Sequence, residues 1–128
     1  MQLGYIIIYV PDVKVAIAFY EKAFGLAVGF ADETGDFAQM NTGATALAFA
    51  KEGMVRDLGV GFAPLRPEAE APAIEIALTT PDVPAAVAAA LAAGATLMKE
   101  AEEKPWGQTV AYVRDPFGLL VELCTPMG

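Results

Sequence analysis

The chain repeats one pattern of apolar and polar positions at an offset of 70 residues. Residues 5–13 and 75–83 each hold a run rich in β-branched and other apolar side chains that ends in Pro-Asp-Val. In both copies the apolar run is typical of a strand, and the residues after Pro-Asp follow helical spacing. The repeat therefore predicts two similar halves, each beginning with a strand and a helix.

The two helices are predicted at 13–24 and 83–93. Before each stands an aspartate that can accept from the first free backbone N–H groups, and after each stands a glycine suited to a left-handed C-cap. These capping residues are Asp12 and Asp82 at the start and Gly25 and Gly94 at the end. Asp115, in the sequence Asp-Pro-Phe-Gly, is interpreted as a turn residue.

Three further strand signals follow each helix, so each half is predicted to be a βαβββ module. The signals lie at 26–31, 37–41 and 45–50 in the first half, and at 96–99, 108–114 and 119–124 in the second. We predict an α+β fold in which two βαβββ modules form a curved sheet around a cavity. Residues 1–128 would be a single domain, with modules at 1–50 and 73–128. The Gly- and Pro-rich segment 51–72 is predicted to be a functional or mobile loop.

Alternation along the strands predicts which side chains face the helices and which face the cavity. The helix side is large and apolar, and in the second half it is expected to include Ile74, Ile76 and Leu78. The cavity side combines small, aromatic and acidic residues, and small side chains there leave volume for a ligand. Its predicted members include Tyr5, Tyr9, Ala48, Glu75 and Glu122.

Charge and composition narrow the partners. The chain carries 16 acidic and 8 basic residues, a formal charge of −8, and no histidine. A duplex nucleic acid or an anionic membrane surface is not expected as partner, because both require a cationic surface. Without histidine, imidazole acid–base catalysis and histidine-based metal sites are excluded. The single Cys124 and the absence of a visible secretory signal predict a cytoplasmic protein.

Three stretches together resemble the vicinal oxygen chelate superfamily of glyoxalases, bleomycin-resistance proteins and extradiol dioxygenases. They are 9–13 with 19–20 and 24–26, then 76–83, then 112–123, where an Asp-Pro-x-Gly turn precedes a strand that bears a glutamate. The resemblance covers essentially the whole chain. It implies paired βαβββ modules, a small-molecule ligand, and usually a homodimer.

The resemblance also maps the metal-ligand positions of the family onto this sequence. They fall on Tyr5, Ala48 (or Leu47), Glu75 and Glu122. Alanine and leucine offer no donor atom, and two carboxylates without imidazole make a weak site for zinc, nickel or iron. No tightly bound metal cofactor is expected; a divalent ion such as Mg²⁺ or Mn²⁺ on Glu75 and Glu122 is the alternative.

The candidate ligand-binding residues each have an ordinary structural interpretation as well. Glu75 and Glu122 could receive a cation or act as an acid–base pair, or could simply reach solvent or bond to backbone. Tyr5 and Tyr9 could wall the cavity or pack within the sheet. Trp106 could stack on a flat ligand, seal a dimer contact, or cover the edge of its own module.

Three functions follow from these residues. The first is sequestration of a small amphipathic or cationic compound without a tightly bound metal, as in the bleomycin-resistance branch. The second is a glyoxalase-like lyase or isomerase, or a dioxygenase-related enzyme, that uses Glu75 and Glu122 as catalytic residues, either with a divalent metal or as an acid–base pair. The third is a regulatory or structural dimer with a vestigial cavity.

Overall fold

A four-stranded mixed sheet with one face covered by a helix forms the first of two compact units, which ends at Pro64. The computed structural model describes residues 1–127. In this unit the strand order is β1-β4-β3-β2; β1 is parallel to β4, and the other pairs are antiparallel. The elements are β1 (Tyr5–Val10), α1 (Val13–Phe24), β2 (Val28–Ala31), β3 (Phe37–Met40), β4 (Ala46–Lys51) and α2 (Glu52–Asp57).

The second unit, which begins at Leu65, repeats this arrangement. Its sheet has the order β5-β8-β7-β6, again with the first pair parallel and the rest antiparallel. The elements are β5 (Glu75–Thr79), α3 (Val83–Ala93), β6 (Thr96–Glu103), β7 (Thr109–Arg114) and β8 (Leu120–Cys124). The α+β class and the two βαβββ modules are thus confirmed.

The helix ends explain why α1 and α3 occupy the predicted residues. Asp12 Oδ1 accepts from the Val15 backbone N–H at 3.2 Å, and Asp82 Oδ1 accepts from that of Ala85 at 3.1 Å. Gly25 and Gly94 end the helices with φ of 68° and 119°, a region that favours glycine. Both stop signals are local in sequence, so the helix bounds could be predicted from it.

Each sheet buries the face that its helix covers. In the first unit Tyr20 of α1 and Phe49 of β4 are fully buried, with ring centroids 4.9 Å apart. In the second unit Val113 and Val121 are fully buried on the sheet, and Val83 is buried on α3. Burying side chains of this size stabilises each unit by about 1.5–3 kcal/mol per residue. The candidate site residues on the strands lie on the opposite face of each sheet.

Two local predictions differ from the structure. Helix α2 lies within the segment that the sequence predicted to be a loop. Ile74 is 53% exposed rather than packed on the helix side, because its N–H donates to the Pro72 carbonyl at 2.8 Å in a tight turn immediately before β5. The turn takes Ile74 out of the strand alternation that begins at Glu75.

Within residues 1–127, no helix is both long enough and apolar enough to cross a lipid bilayer.

Candidate functional site

The open face of the second sheet brings together the two predicted glutamates. Across the strands, Glu75 pairs with Leu120, and Leu120 pairs with Arg114. One step further along, Glu122 lies opposite Tyr112. Because residues paired across a sheet share a face, Glu75 and Glu122 point to the same side from adjacent strands.

The carboxyl group of Glu75 lies within electrostatic reach of Glu122. Burial raises the pKa of Glu75 above its ordinary value of 4.5, and the neighbouring side chain and negative charge of Glu122 raise it further. We refer to Glu75 and Glu122 as the acid pair.

Tyr112 completes the cluster, and it was not among the site residues predicted from the sequence. Its hydroxyl donates to Glu122 Oε1 at 3.1 Å, and burial together with the charge of Glu122 raises the pKa of Tyr112. The available signal was the strand alternation of β7, but choosing Tyr112 also requires the register between β7 and β8. The hydrogen bond orients the Glu122 carboxylate on the open face.

Cys124 is buried at the end of the same strand, β8. Burial and the neighbouring carboxyl group of Glu122 raise the pKa of its thiol. A thiol that resists ionisation is a poor nucleophile, so Cys124 acts as a small apolar residue in the sheet.

A cleft of about 300 Å³ opens beside the acid pair. Its lining residues are Pro72, Ala73, Ile74, Glu75 and Leu120. Apart from Glu75, these side chains are apolar. The exposed Ile74 noted above therefore borders the cleft, as does Glu75.

The β7–β8 turn next to this cleft is held by polar contacts. Asp115 is 3% exposed, and its Oδ1 accepts from the backbone N–H groups of Phe117, Gly118 and Leu119, each at 2.9 Å. This confirms Asp115 as a turn residue.

Arg114 ties the same turn to the chain that enters the second unit. Its guanidinium donates to the carbonyl oxygens of Gly118 at 2.9 Å, Pro67 at 3.1 Å and Arg66 at 3.2 Å. The Arg114 guanidinium is therefore occupied by backbone oxygens, and it connects the β7–β8 turn that precedes Leu120 to residues 66–67.

The remaining strand candidates belong to the first unit. Tyr5 is 54% exposed, and Ala48 is fully buried between Ile7 and Gln39, its neighbours across the sheet. Leu47 is buried as well, on the face that α1 covers. The roles of Tyr5 and Ala48 in ligand binding stay predictions.

Tyr9 contacts the segment after α2. Its ring meets Phe62 edge-on with centroids 4.9 Å apart, and the Arg56 guanidinium lies 4.0 Å above the Phe62 ring. Phe62 thus covers Tyr9 in this structure, and the cation–π contact with Arg56 holds Phe62 in place.

Trp106 lies at the other end of the second sheet from Glu75, in the turn before β7. Trp106 is 63% exposed. Its Nε1–H donates to Gln108 Oε1 at 2.7 Å, and Gln108 Nε2 donates to the Thr125 carbonyl at 2.7 Å. A separate cleft of about 330 Å³ lies beside it, lined by Trp106, Gly107, Gln108, Pro126 and Met127.

The residues at the four family ligand positions do not fit a tightly bound metal. Ala48 presents only a methyl group, and the chain has no histidine that could join Glu75 and Glu122 as a ligand. Among residues 1–127, no group of three or more His, Cys, Asp or Glu side chains could hold a metal ion. Two carboxylates are too few donors for a closed transition-metal site.

Solved structures with this fold come from several bacteria. A glyoxalase-related enzyme from Fulvimarina pelagi superposes with a TM-score of 0.81 at 24% identity, covering 98% of this chain and 88% of that one. A glyoxalase/bleomycin resistance protein/dioxygenase family enzyme from Burkholderia phytofirmans PsJN gives 0.76 at 22% identity, covering 98% of both chains. TioX from Micromonospora sp. ML1 gives 0.66 at 21% identity, again covering 98% of both. At these identities the likeness shows the fold alone.

A search of the curated proteins gives no match. The family model, in contrast, matches residues 2–123, nearly the whole chain. The repeated βαβββ architecture and this match lead to the same assignment: the chain belongs to the Glyoxalase/Bleomycin resistance protein/Dioxygenase superfamily.

Proposed function

We propose that the protein binds a small amphipathic, amine-bearing compound at the acid pair, without a tightly bound metal. The observation that carries the proposal is the strand register, which places Glu75 and Glu122 side by side on the open face of the second sheet. Two neighbouring carboxyl groups are a natural receptor for an ammonium group, which brings its own donors and a positive charge.

The surroundings of the acid pair support this proposal. Tyr112 donates to Glu122 Oε1 and so orients that carboxylate on the open face. The formal charge of −8 attracts cations over long distances and speeds their association at low salt.

Calorimetric titration with 2-phenylethylammonium tests the proposal. We expect Glu122→Gln to weaken binding at least about tenfold, the usual scale for a lost charge-assisted contact. The matched control is Glu103→Gln, which removes one exposed carboxylate from β6 of the same sheet and should change the affinity less than about twofold. Equal affinities for both variants would overturn the proposal.

The raised pKa of Glu75 favours a second candidate function, proton transfer by the acid pair in a glyoxalase-like isomerisation. A carboxyl group with a raised pKa next to a second carboxyl group can supply an acid and a base in one site. The test is formation of a thioester from methylglyoxal and glutathione, followed by ultraviolet absorbance. Activity lost in both Glu75→Gln and Glu122→Gln would support this candidate, and thioester formation no faster than without protein would reject it.

We further propose that the protein is a cytoplasmic homodimer. The open face of the first sheet leaves Tyr5, Ile7 and Phe30 exposed in the single chain, and exposed apolar groups of this size favour association. Sedimentation at several concentrations tests this: a single species with the mass of two chains is expected, and a monomer at all concentrations would contradict it.

Trp106 is proposed as a stacking partner for a flat ligand in its own cleft. Since it is the single tryptophan of the chain, its fluorescence reports on that cleft alone. Quenching by flat aromatic compounds is expected, and emission unchanged across such a set would remove this role.

A further inference from the structure

We propose that the cleft beside the acid pair selects its ligand by the apolar group attached to the nitrogen, so that the preferred compounds are amines with a compact branched or aromatic substituent. This inference rests on the proposed function and goes further by naming the ligand class. Its basis is that Glu75 lines this cleft together with four apolar residues.

The conformation of the chain before β5 places an apolar side chain at the cleft. The hydrogen bond from Ile74 N–H to the Pro72 carbonyl holds a tight turn, and Pro72 restricts its own backbone further. This turn displays Ile74 at the cleft instead of burying it against α3. Ile74 is 53% exposed, so a ligand that covers its apolar surface binds with a more favourable free energy.

The size of the cleft limits the substituent that it can hold. Its volume of about 300 Å³ is at the small end of the range for ligand pockets. Pro72, Ala73 and Leu120 restrict it on the remaining sides, and Leu120 is held between Glu75 on β5 and Arg114 on β7. A phenyl or branched butyl group suits this space, whereas a long flexible chain would extend into solvent.

The charged groups beside the cleft favour a cationic ligand. Glu75 on β5 and Glu122 on β8 are acidic, and Tyr112 on β7 donates to Glu122. Arg114 on β7 is the nearby cation, but its guanidinium donates to the carbonyl oxygens of Gly118, Pro67 and Arg66. An ammonium group is therefore favoured next to the cleft, and a carboxylate is disfavoured.

The test compares 3-methylbutylammonium with methylammonium on the wild-type protein by calorimetric titration. We expect the branched amine to bind about tenfold tighter, because its hydrocarbon leaves water in the cleft. The neutral 3-methylbutanol, which has the same hydrocarbon group, should bind far more weakly than the amine.

Two variants locate the selectivity. Ile74→Ala should weaken the branched amine about fivefold and leave methylammonium unchanged. Leu91→Ala is the matched control, since it shortens an exposed aliphatic side chain on α3 and should change neither affinity. Because Ile74 is exposed, its replacement should leave the fold intact, which a melting curve of the same sample checks.

The outcomes separate this inference from the proposed function. If both amines bind with equal affinity and Glu122→Gln weakens both, selection by the cleft is overturned while the acid-pair site stands. If neither amine binds, the proposed function and this inference are both overturned. A loss of affinity confined to the branched amine in Ile74→Ala would support both.

Discussion

Tyr112 and Glu122 face each other across β7 and β8, and the tyrosine hydroxyl donates to the glutamate Oε1 at 3.1 Å. The pKa of the Tyr112 hydroxyl is raised, so it stays a donor, and its bond fixes the orientation of the Glu122 carboxylate. The packing of β7 against β8 therefore sets the position of one member of the acid pair.

Removing the Tyr112 hydroxyl should cost stability. We expect Tyr112→Phe to lower the free energy of unfolding by about 1 kcal/mol, the usual net value of a half-buried hydrogen bond. Urea denaturation at pH 7 measures this. Tyr5→Phe is the control, because Tyr5 is exposed and its substitution should cost little. A Tyr112→Phe variant as stable as Tyr5→Phe would show that the contact contributes nothing to folding.

The stability of the protein should depend on pH through Glu75. Its pKa is higher in the folded than in the unfolded chain, so protonated Glu75 stabilises the folded state. This contribution is fully present below the unfolded value of about 4.5 and is lost as pH rises through the raised pKa. In Glu75→Gln the contribution is absent at every pH.

Urea denaturation of wild type and Glu75→Gln, at steps from pH 4.5 to pH 8, tests this coupling. We expect the glutamine variant to gain stability relative to wild type as pH rises through the window. Glu103→Gln, which lies outside the acid pair, is the reference for a simple loss of one charge. Parallel pH curves for wild type and Glu75→Gln would contradict the prediction.

The Asp115 carboxylate should be among the most sensitive positions of the second unit. Asp115→Ala leaves the backbone N–H groups of Phe117 and Leu119 without their acceptor, while that of Gly118 keeps only the Asp115 carbonyl oxygen, and we expect a loss of about 3 kcal/mol in unfolding free energy. Asp115→Asn keeps an oxygen in place and should lose only about 1 kcal/mol. Chemical denaturation of both variants at pH 7 measures the difference; equal losses would mean that charge, and not the acceptor itself, holds the turn.

Local signals explain which parts of the fold could be predicted. Asp12 and Asp82 cap their helices through contacts three residues away, and this spacing is visible in the sequence. Helix α2 has no such signal, because Lys51 at its start makes no side-chain cap and the helix has only six residues. Its formation depends on packing against β1 and β4, which a local pattern does not encode.

The candidate site follows the same division. Strand alternation alone predicts that Glu75 and Glu122 share a face, because β5 opens the second βαβββ module and β8 closes it. Tyr112 required the register of β7 against β8, which a separate turn sets through Asp115. Ile74 departs from alternation because of one backbone hydrogen bond that neither composition nor period specifies.

Gly118 should tolerate no side chain, for two separable reasons. Its φ is +112°, and a Cβ built on it would lie 2.7 Å from the Arg66 carbonyl oxygen. Gly107 also has a positive φ, +98°, but a Cβ there would have no neighbour within 4 Å among the described residues. The two glycines therefore separate backbone strain from steric contact.

We expect Gly107→Ala to cost about 1 kcal/mol, the strain of a left-handed backbone alone. Gly118→Ala should cost at least about 2 kcal/mol more, because the methyl group pushes Arg66 away and disturbs the carbonyl oxygens that Arg114 binds. Urea denaturation compares the two variants. Equal losses would show that the chain near Arg66 yields freely, and the contact between Arg114 and this segment would then not be a fixed part of the cleft.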